Sequence, residues 1–191
     1  MTNVEFRLKG KNMSTELEDR RIAILAEDQY EDLELWYPLL RMKEAGATVV
    51  VVGMPDLRTY ESKHGYPVNT SAVADQVSAE DFDGIIIPGG YAPDKMRRHQ
   101  AMLDLVRDLD EQGKPVAMIC HAGWVGISAG IVNGKRLTST TAIRDDLINA
   151  GAEWVDEEVV QDGNLISSRG PKDLPAFCQK IIAALQETIP V

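Results

Sequence analysis

The sequence predicts a three-layer α/β domain, in which helices cover both faces of a mostly parallel sheet. Short, continuous apolar runs recur along the 191-residue chain, as they do in strands that are buried on both faces of a parallel sheet. Patterns of helical length alternate with these runs, which is the order of elements that layered α/β folds require. A chain of this length can bury a sizeable core as one domain.

The first two strands and the helix between them form a predicted βαβ unit. Residues 21–26 and 48–52 are apolar runs of strand length. The helix between them ends near Gly46, and it carries apolar residues at helical spacing, which predict a stripe facing the core: Leu33, Trp36 and Leu40. We expect the two strands to be parallel with a right-handed crossover.

The segments around this unit are more polar. Residues 1–20 have mixed charge and no sustained period, so we predict a flexible extension there and a single domain over 21–191. Residues 54–70 are rich in glycine, proline and polar residues and predict a short hairpin with its turn near 63–66. Residues 84–88 are the third buried strand.

The second half of the chain continues the alternation. A long helix over 93–112 is predicted from apolar residues that share one side: Met96, Leu103, Val106 and Leu109. Further helices are predicted at 124–129, 142–150 and 174–185. Strands are predicted at 116–119, 137–140, 154–160 and 164–168, the last two joined by the turn 161–163.

Composition excludes several classes of function. The formal net charge of −10 argues against nucleic acid or an anionic membrane as partner, because both are polyanions. No apolar run approaches the ~20 residues of a membrane helix, and the N-terminus lacks the apolar core of a signal peptide. The two cysteines and three scattered histidines predict neither a disulfide framework nor a metal site. We expect a cytoplasmic protein without a cofactor, and no nucleotide-binding glycine fingerprint occurs.

One corner of the predicted sheet carries a thiol. The strand 116–119 stops abruptly at Cys120-His121, and Gly123 opens a helical pattern. A strand that turns sharply into a helix with a nucleophile at the corner has the layout of a nucleophile elbow. The helix N-terminus behind it favours a thiolate. The alternative is that Cys120 is a small buried hydrophobe.

Two other strands end in groups that suit the same site. Gly89 and Gly90 let backbone N–H groups approach a substrate closely. With the elbow N–H groups, including that of Ala122, they could form an oxyanion hole, worth about 3 kcal/mol per donor. The alternative is an ordinary turn. Because loops at the carboxyl ends of parallel strands meet at one edge, we expect these groups to lie together.

Acidic residues follow the first strand. Glu31 and Glu34 are three apart and share a helix face, whereas Asp32 is expected to complement the helix dipole. Glu34 stands among apolar neighbours, so its carboxyl is predicted to be buried with a raised pKa and able to donate a hydrogen bond to a thiolate. Of the remaining histidines, His64 is expected in a loop and His99 on a solvated helix face.

Four segments together resemble the PfpI-type intracellular proteases of the ThiJ/PfpI superfamily: 26–35, 84–90, 119–121 and 149–156. The resemblance runs from about Arg21 to the C-terminus. It implies a flavodoxin-like fold of the class I glutamine amidotransferase type. It also implies a Cys-His hydrolase-like site, with peptidase, glyoxalase or deglycase activity ascribed to the family, usually in stress responses.

The resemblance also implies roles for single residues. Cys120 matches the nucleophile and His121 its base, and the pocket residues of the family match Glu31, Glu34 and Lys63. Asp94 matches an acid that reaches a neighbour's histidine in oligomeric relatives, so we expect a homodimer or a higher oligomer; the alternative is a helix-capping role. Tyr30 and Trp124 are candidate substrate contacts. The chain departs from the family at Ala122-Gly123-Trp124, where Gly-Pro is commoner, and at Thr140, where several relatives carry an aromatic residue.

Two functions from different classes remain open at this stage. The first is an enzyme in which Cys120 attacks a small dicarbonyl, its adduct or a peptide. The second is an oxidative-stress sensor without turnover, in which Cys120 is oxidised to sulfenic or sulfinic acid beside Glu34. Both functions use the same cysteine, so the sequence does not separate them.

Overall fold

The computed structural model describes residues 16–56 and 58–187. The predicted flexible extension therefore lies mostly outside the described residues. Its last part, residues 16–20, packs on the domain instead, because Leu17 is buried and its N–H donates to the carbonyl of Ala45 at 2.8 Å. Among the described residues, no helix is long and apolar enough to cross a membrane.

A seven-stranded sheet forms the centre of the molecule, in the order β10-β11-β7-β6-β1-β2-β5. Every neighbouring pair is parallel except β10 and β11, which form an antiparallel edge. The strands are β1 (Arg21–Leu25), β2 (Thr48–Gly53), β5 (Ala72–Val73), β6 (Gly84–Ile87), β7 (Val116–Ile119), β10 (Val159–Asp162) and β11 (Leu165–Ser168). The inner strands β6 and β7 are buried on both faces, which explains the continuous apolar runs that predicted them. The short edge strand β5 was not predicted.

Two groups of helices cover the sheet. On one face α1 packs against α6, and on the other α4 packs against α2, α3 and α5. The helices are α1 (Asp32–Glu44), α2 (Ala92–Met96), α3 (Gln100–Glu111), α4 (Gly123–Ala129), α5 (Arg144–Asn149) and α6 (Leu174–Glu187). The predicted three-layer arrangement is confirmed.

Two short sheets lie outside the main one. The predicted hairpin is formed by β3 (Thr59–Glu61) and β4 (Pro67–Asn69) in antiparallel pairing. A parallel pair is formed by β8 (Arg136–Leu137) and β9 (Glu153–Trp154). The strand predictions at 137–140 and 154–160 are therefore wrong in extent. After β8 the chain leaves the ladder, because the backbone N–H of Thr138 bonds the Ser167 hydroxyl at 2.9 Å.

The helix predicted over 93–112 is also wrong, because it is two helices with a break at 97–99. His99 has extended backbone, with φ −98° and ψ 106°, at the start of α3. Its Nε2 lies 3.3 Å from Oε2 of the buried Glu27. The break lets this ring reach the sheet edge, so His99 is not the solvated helix residue that was expected.

Helix α1 buries a different face from the predicted one. Leu33 and Leu40 are 55% and 58% exposed, whereas the buried apolar residues are Leu35, Pro38, Leu39 and Met42. The helix carries apolar residues on more than one side. Their spacing alone therefore did not show which side faces the core, and the predicted stripe is wrong. The observed rotation turns Glu34 inward, towards the edge where β1, β6 and β7 end.

Candidate active site

Cys120 stands at the corner between β7 and α4. Its φ is +62°, a left-handed conformation that costs a non-glycine residue about 1–3 kcal/mol. A short 3-10 turn from Cys120 to Ala122 leads into α4 at Gly123. A Cβ at Gly123 would lie 3.0 Å from Ile143 Cδ1, so glycine lets the helix pack closely behind the corner. The strained corner places the side chain of the partly exposed Cys120 at the carboxyl edge of the sheet.

The glycine pair after β6 brings backbone against this cysteine. A Cβ at Gly89 would lie 2.5 Å from Oε2 of Glu34 and 2.7 Å from Cβ of Cys120. Gly90 has φ +75°, and a Cβ there would lie 2.5 Å from the backbone nitrogen of Glu31. The N–H of Gly89 donates to Glu34 at 2.8 Å, so this group holds the carboxyl instead of being free for a substrate oxyanion.

Glu34 is fully buried between the glycine pair and the thiol. The pKa of its carboxyl is raised to about 7, chiefly because the group is buried. The hydrogen bond from Gly89 lowers this pKa, and the charge of Glu31 raises it. Glu34 also interacts with the Cys120 side chain, and its buried Oε1 has no hydrogen-bond partner among the described residues. A carboxyl with this pKa can hold or release a proton near neutral pH.

The thiol of Cys120 is held in its neutral form. Its pKa is raised to about 12, chiefly by burial and also by the charge of Glu34, while hydrogen bonds from the backbone N–H groups of Gly90 and His121 lower it. The expectation that the helix N-terminus produces a thiolate is therefore wrong for the resting protein, because burial and a neighbouring carboxylate outweigh it.

His121 contacts the sulfur directly. Its Nδ1 lies 3.2 Å from the Sγ of Cys120. Burial lowers the pKa of the imidazole, and the charge of Lys63 lowers it further. A neutral ring beside a neutral thiol is the arrangement in which the ring can accept the thiol proton as a nucleophile forms.

The β3–β4 hairpin carries Lys63 to this edge. Lys63 forms an ion pair with the nearly buried Glu31, and this contact raises the pKa of the ammonium group. Asp32 fixes the turn, because one of its oxygens accepts from the Ser62 hydroxyl at 2.6 Å and the other lies 2.6 Å from His64 Nδ1. Asp32 therefore ties the hairpin to α1, in addition to lying in the first turn of that helix.

The other candidate residues differ in their exposure to solvent. The predicted substrate contact Tyr30 is wrong, because its side chain is fully buried and its hydroxyl donates to the carbonyl of Tyr66 at 2.6 Å. Trp124 is partly exposed, with its ring centroid 5.2 Å from that of His121. Ala122 is buried at the elbow.

Asp94 lies in the first turn of α2, where it forms an ion pair with Arg98. The N-cap position of that helix is Tyr91, and Asp94 is the acidic residue of its first turn, so the capping role of Asp94 stays a prediction. The described residues give His121 no bond to Asp94 within the chain.

Tyr91 belongs to the site but was missed from the sequence. It is 62% exposed, and its ring centroid lies 6.4 Å from that of His121. An aromatic residue directly after the glycine pair was the signal available. Over residues 16–56 and 58–187, no group of three potential metal ligands occurs.

The fold and this site define a class of protein: a mostly parallel α/β sheet with a cysteine on a strand–helix elbow and a buried glutamate beside it. The sequence model described as the DJ-1/PfpI family matches residues 20–184. The chain belongs to that family, and the predicted resemblance is confirmed.

Relatives with known names are similar to this protein over most of its chain. It is 45% identical to a deglycase of Thermococcus kodakarensis over 166 residues, which cover 87% of this chain and 99% of that protein. It is 42% identical to the deglycase PfpI of Pyrococcus furiosus over the same shares. A two-domain protein of Anabaena variabilis with DJ-1/ThiJ/PfpI-like and ferritin-like domains superposes with a TM-score of 0.86 at 40% identity. That match covers 90% of this chain and 50% of the other, so this chain spans about half of that protein.

Proposed function

We propose that this chain is a cytoplasmic, cysteine-dependent deglycase, which hydrolyses the adducts that small dicarbonyls form with amines or thiols. The observation that carries the proposal is the surroundings of the Cys120 sulfur. A neutral imidazole, two backbone N–H groups and a buried carboxyl meet at this atom. The deglycase names of the two archaeal relatives support the same reaction class.

The first step would exchange the leaving group for the enzyme's sulfur. The thiol proton passes to Nδ1 of His121, sulfur forms a bond to the carbinol carbon of the adduct, and the carbon–nitrogen or carbon–sulfur bond to the leaving half breaks. His121 then returns the proton to the leaving atom. The free amine or thiol departs, and the dicarbonyl fragment stays on Cys120.

The second step would convert this fragment to a thioester. A proton moves from the carbinol carbon to the neighbouring carbonyl carbon, and the carbinol hydroxyl proton moves to the carbonyl oxygen. One carbon is thereby oxidised and the other reduced within the same fragment. Glu34 is the group suited to carry this proton, because its pKa of about 7 matches a neutral operating pH. The N–H groups of Gly90 and His121 would stabilise the intervening oxyanion. Water then cleaves the thioester, which for methylglyoxal adducts releases lactate.

Lactate release from the hemithioacetal of methylglyoxal and N-acetylcysteine tests this function. We expect Cys120→Ser to reduce the rate by at least about a hundredfold, as loss of a nucleophile does. Cys178→Ser is the matched control, because Cys178 is buried in α6 and burial raises its pKa to about 12. A Cys120→Ser variant with the unaltered rate would contradict the proposal. A parallel assay on unmodified peptides separates this activity from a peptidase.

A second function is favoured by one observation. The N–H groups around the sulfur, and the Oε1 of Glu34, which has no hydrogen-bond partner among residues 16–56 and 58–187, could stabilise an oxidised sulfur as a sulfinate. A sensor would show quantitative sulfinate formation at Cys120 after mild peroxide, measured by mass spectrometry, and no lactate release by untreated protein. Turnover by untreated protein would exclude a sensor that lacks activity.

A further inference from the structure

A cleft of about 470 Å³ lies beside the site, and it is lined by Arg97, Trp124, Ile127, Asp146, Asn149 and Ala150. We propose that this cleft binds a carboxylate on the leaving half of the substrate, so that adducts of N-acylated, carboxylate-bearing amines or thiols are preferred. This inference rests on the proposed function, because it names the chemistry of the same substrate's leaving half.

The position of the cleft assigns it to the leaving half. Trp124 is one wall, and its ring centroid lies 5.2 Å from that of His121. His121 in turn lies 3.2 Å from the Cys120 sulfur. Trp124 therefore contacts both the cleft and the imidazole, and the imidazole is the group that would return a proton to the departing atom. The leaving half lies nearest to this group as the bond breaks.

Arg97 supplies the charge that a carboxylate requires. Its Nε donates to the Ser128 hydroxyl at 2.9 Å, and its guanidinium carbon lies 5.9 Å from the Trp124 ring centroid. These two contacts hold the group in place and leave its terminal N–H groups for a ligand. Within the described part of the chain, Arg97 forms no ion pair. A pre-oriented guanidinium binds carboxylates through two parallel hydrogen bonds.

Asp146 accounts for the preference for an N-acyl group. Its Oδ2 accepts from Trp124 Nε1 at 2.7 Å, which fixes the indole. Asp146 lines the same cleft as Arg97. A ligand that carries a carboxylate and a neighbouring amide N–H can satisfy both charged groups, whereas a second carboxylate would meet repulsion from Asp146.

Binding of an unreactive ligand pair tests the cleft without any turnover. N-acetylalanine and N-acetylalaninamide differ only in the carboxylate, and calorimetric titration gives both affinities. We expect the carboxylate to bind about tenfold more tightly, as one charge-assisted bidentate contact allows. In Arg97→Gln the two ligands should bind alike. Arg144→Gln is the matched control, because Arg144 is exposed, pairs with Asp145 and does not line the cleft. Equal binding of the two ligands to the unaltered protein would overturn the inference.

Turnover of a matched substrate pair separates the two proposals. The hemithioacetals of methylglyoxal with N-acetylcysteine and with N-acetylcysteinamide again differ only in the carboxylate. We expect about a tenfold higher kcat/KM for the acid in the unaltered protein and in Arg144→Gln, and a ratio near one in Arg97→Gln. Lactate release at equal rates from both would overturn the cleft assignment and leave the deglycase standing. Selective binding of N-acetylalanine without lactate release from any adduct would overturn the deglycase and leave the carboxylate site.

Discussion

The carboxyl of Glu34 controls the thiol through charge. Because the ionised carboxylate raises the pKa of Cys120, Glu34→Gln should lower that pKa and speed alkylation of Cys120 at mildly alkaline pH. Each unit of pKa gives about a tenfold larger thiolate fraction. The measurement is the iodoacetamide rate at Cys120, followed by mass mapping. Glu44→Gln, at the exposed end of the same helix, should leave the rate unchanged. A slower reaction in Glu34→Gln would show that hydrogen bonding from Glu34, and not its charge, dominates.

Gly89 is a residue where a single methyl group would disrupt the site. Gly89→Ala places a carbon 2.5 Å from the Glu34 carboxyl and 2.7 Å from Cys120 Cβ. We expect about 1–3 kcal/mol lower stability in urea denaturation, as for other overpacked positions, together with a large loss of lactate release. Gly113→Ala is the control, because it has φ +69° but open space around it. It should lose stability through backbone strain and keep its activity. Normal activity in Gly89→Ala would contradict the close approach.

At the level of elements, the hairpin depends on one buried hydroxyl. Ser62 donates to Asp32 at 2.6 Å and accepts from the backbone N–H groups of His64 and Tyr66 at 3.1 and 2.9 Å. Ser62→Ala leaves these groups unsatisfied, which costs about 1–3 kcal/mol. We expect a raised KM for lactate release, because the loosened turn carries Lys63. Thr59→Ala, whose hydroxyl bonds Asn69 on the exposed side of the hairpin, should keep the normal KM. Equal KM values in both variants would remove the hairpin from substrate binding.

The elements differ in how well the sequence predicts them. The strands β6 and β7 were predictable because a short, continuous apolar run bounded by glycine or proline is typical of a doubly buried strand. The sequence also predicted that Glu34, Gly90 and Cys120 lie close together, because they follow three parallel strands whose carboxyl ends meet at one edge of the sheet. The break before α3 was not predictable, because it depends on the distant contact between His99 and Glu27. The neutral state of the thiol was also missed, since it depends on burial, which a local motif does not specify.

At the level of the whole molecule, we propose that the chain forms a homodimer or a higher oligomer. Leu33 and Leu40 leave an exposed apolar strip on α1 of the kind that marks protein interfaces. Sedimentation should show an oligomer for the unaltered protein and a smaller species for the Leu33→Glu, Leu40→Glu double variant. Ile148→Glu, at an exposed apolar position on α5, should not change the size. A monomeric unaltered protein would also remove any role for Asp94 in a neighbour's site, and Asp94→Asn should then have full activity.

The stability of the whole fold should depend on pH through Glu34. The pKa of this buried carboxyl rises from its ordinary value of 4.5 to about 7. The folded state therefore holds an extra proton between these values, so the contribution to stability is complete below about pH 4.5 and is lost as the pH rises through 7. A shift of this size corresponds to about 3 kcal/mol. The Glu34→Gln variant has no titratable group at this position, and its other titrating groups are those of the unaltered protein. We therefore expect it to lose less stability than the unaltered protein between pH 5 and pH 8. Urea denaturation across this range measures the difference, and parallel curves for the two proteins would show that Glu34 titrates normally in the fold.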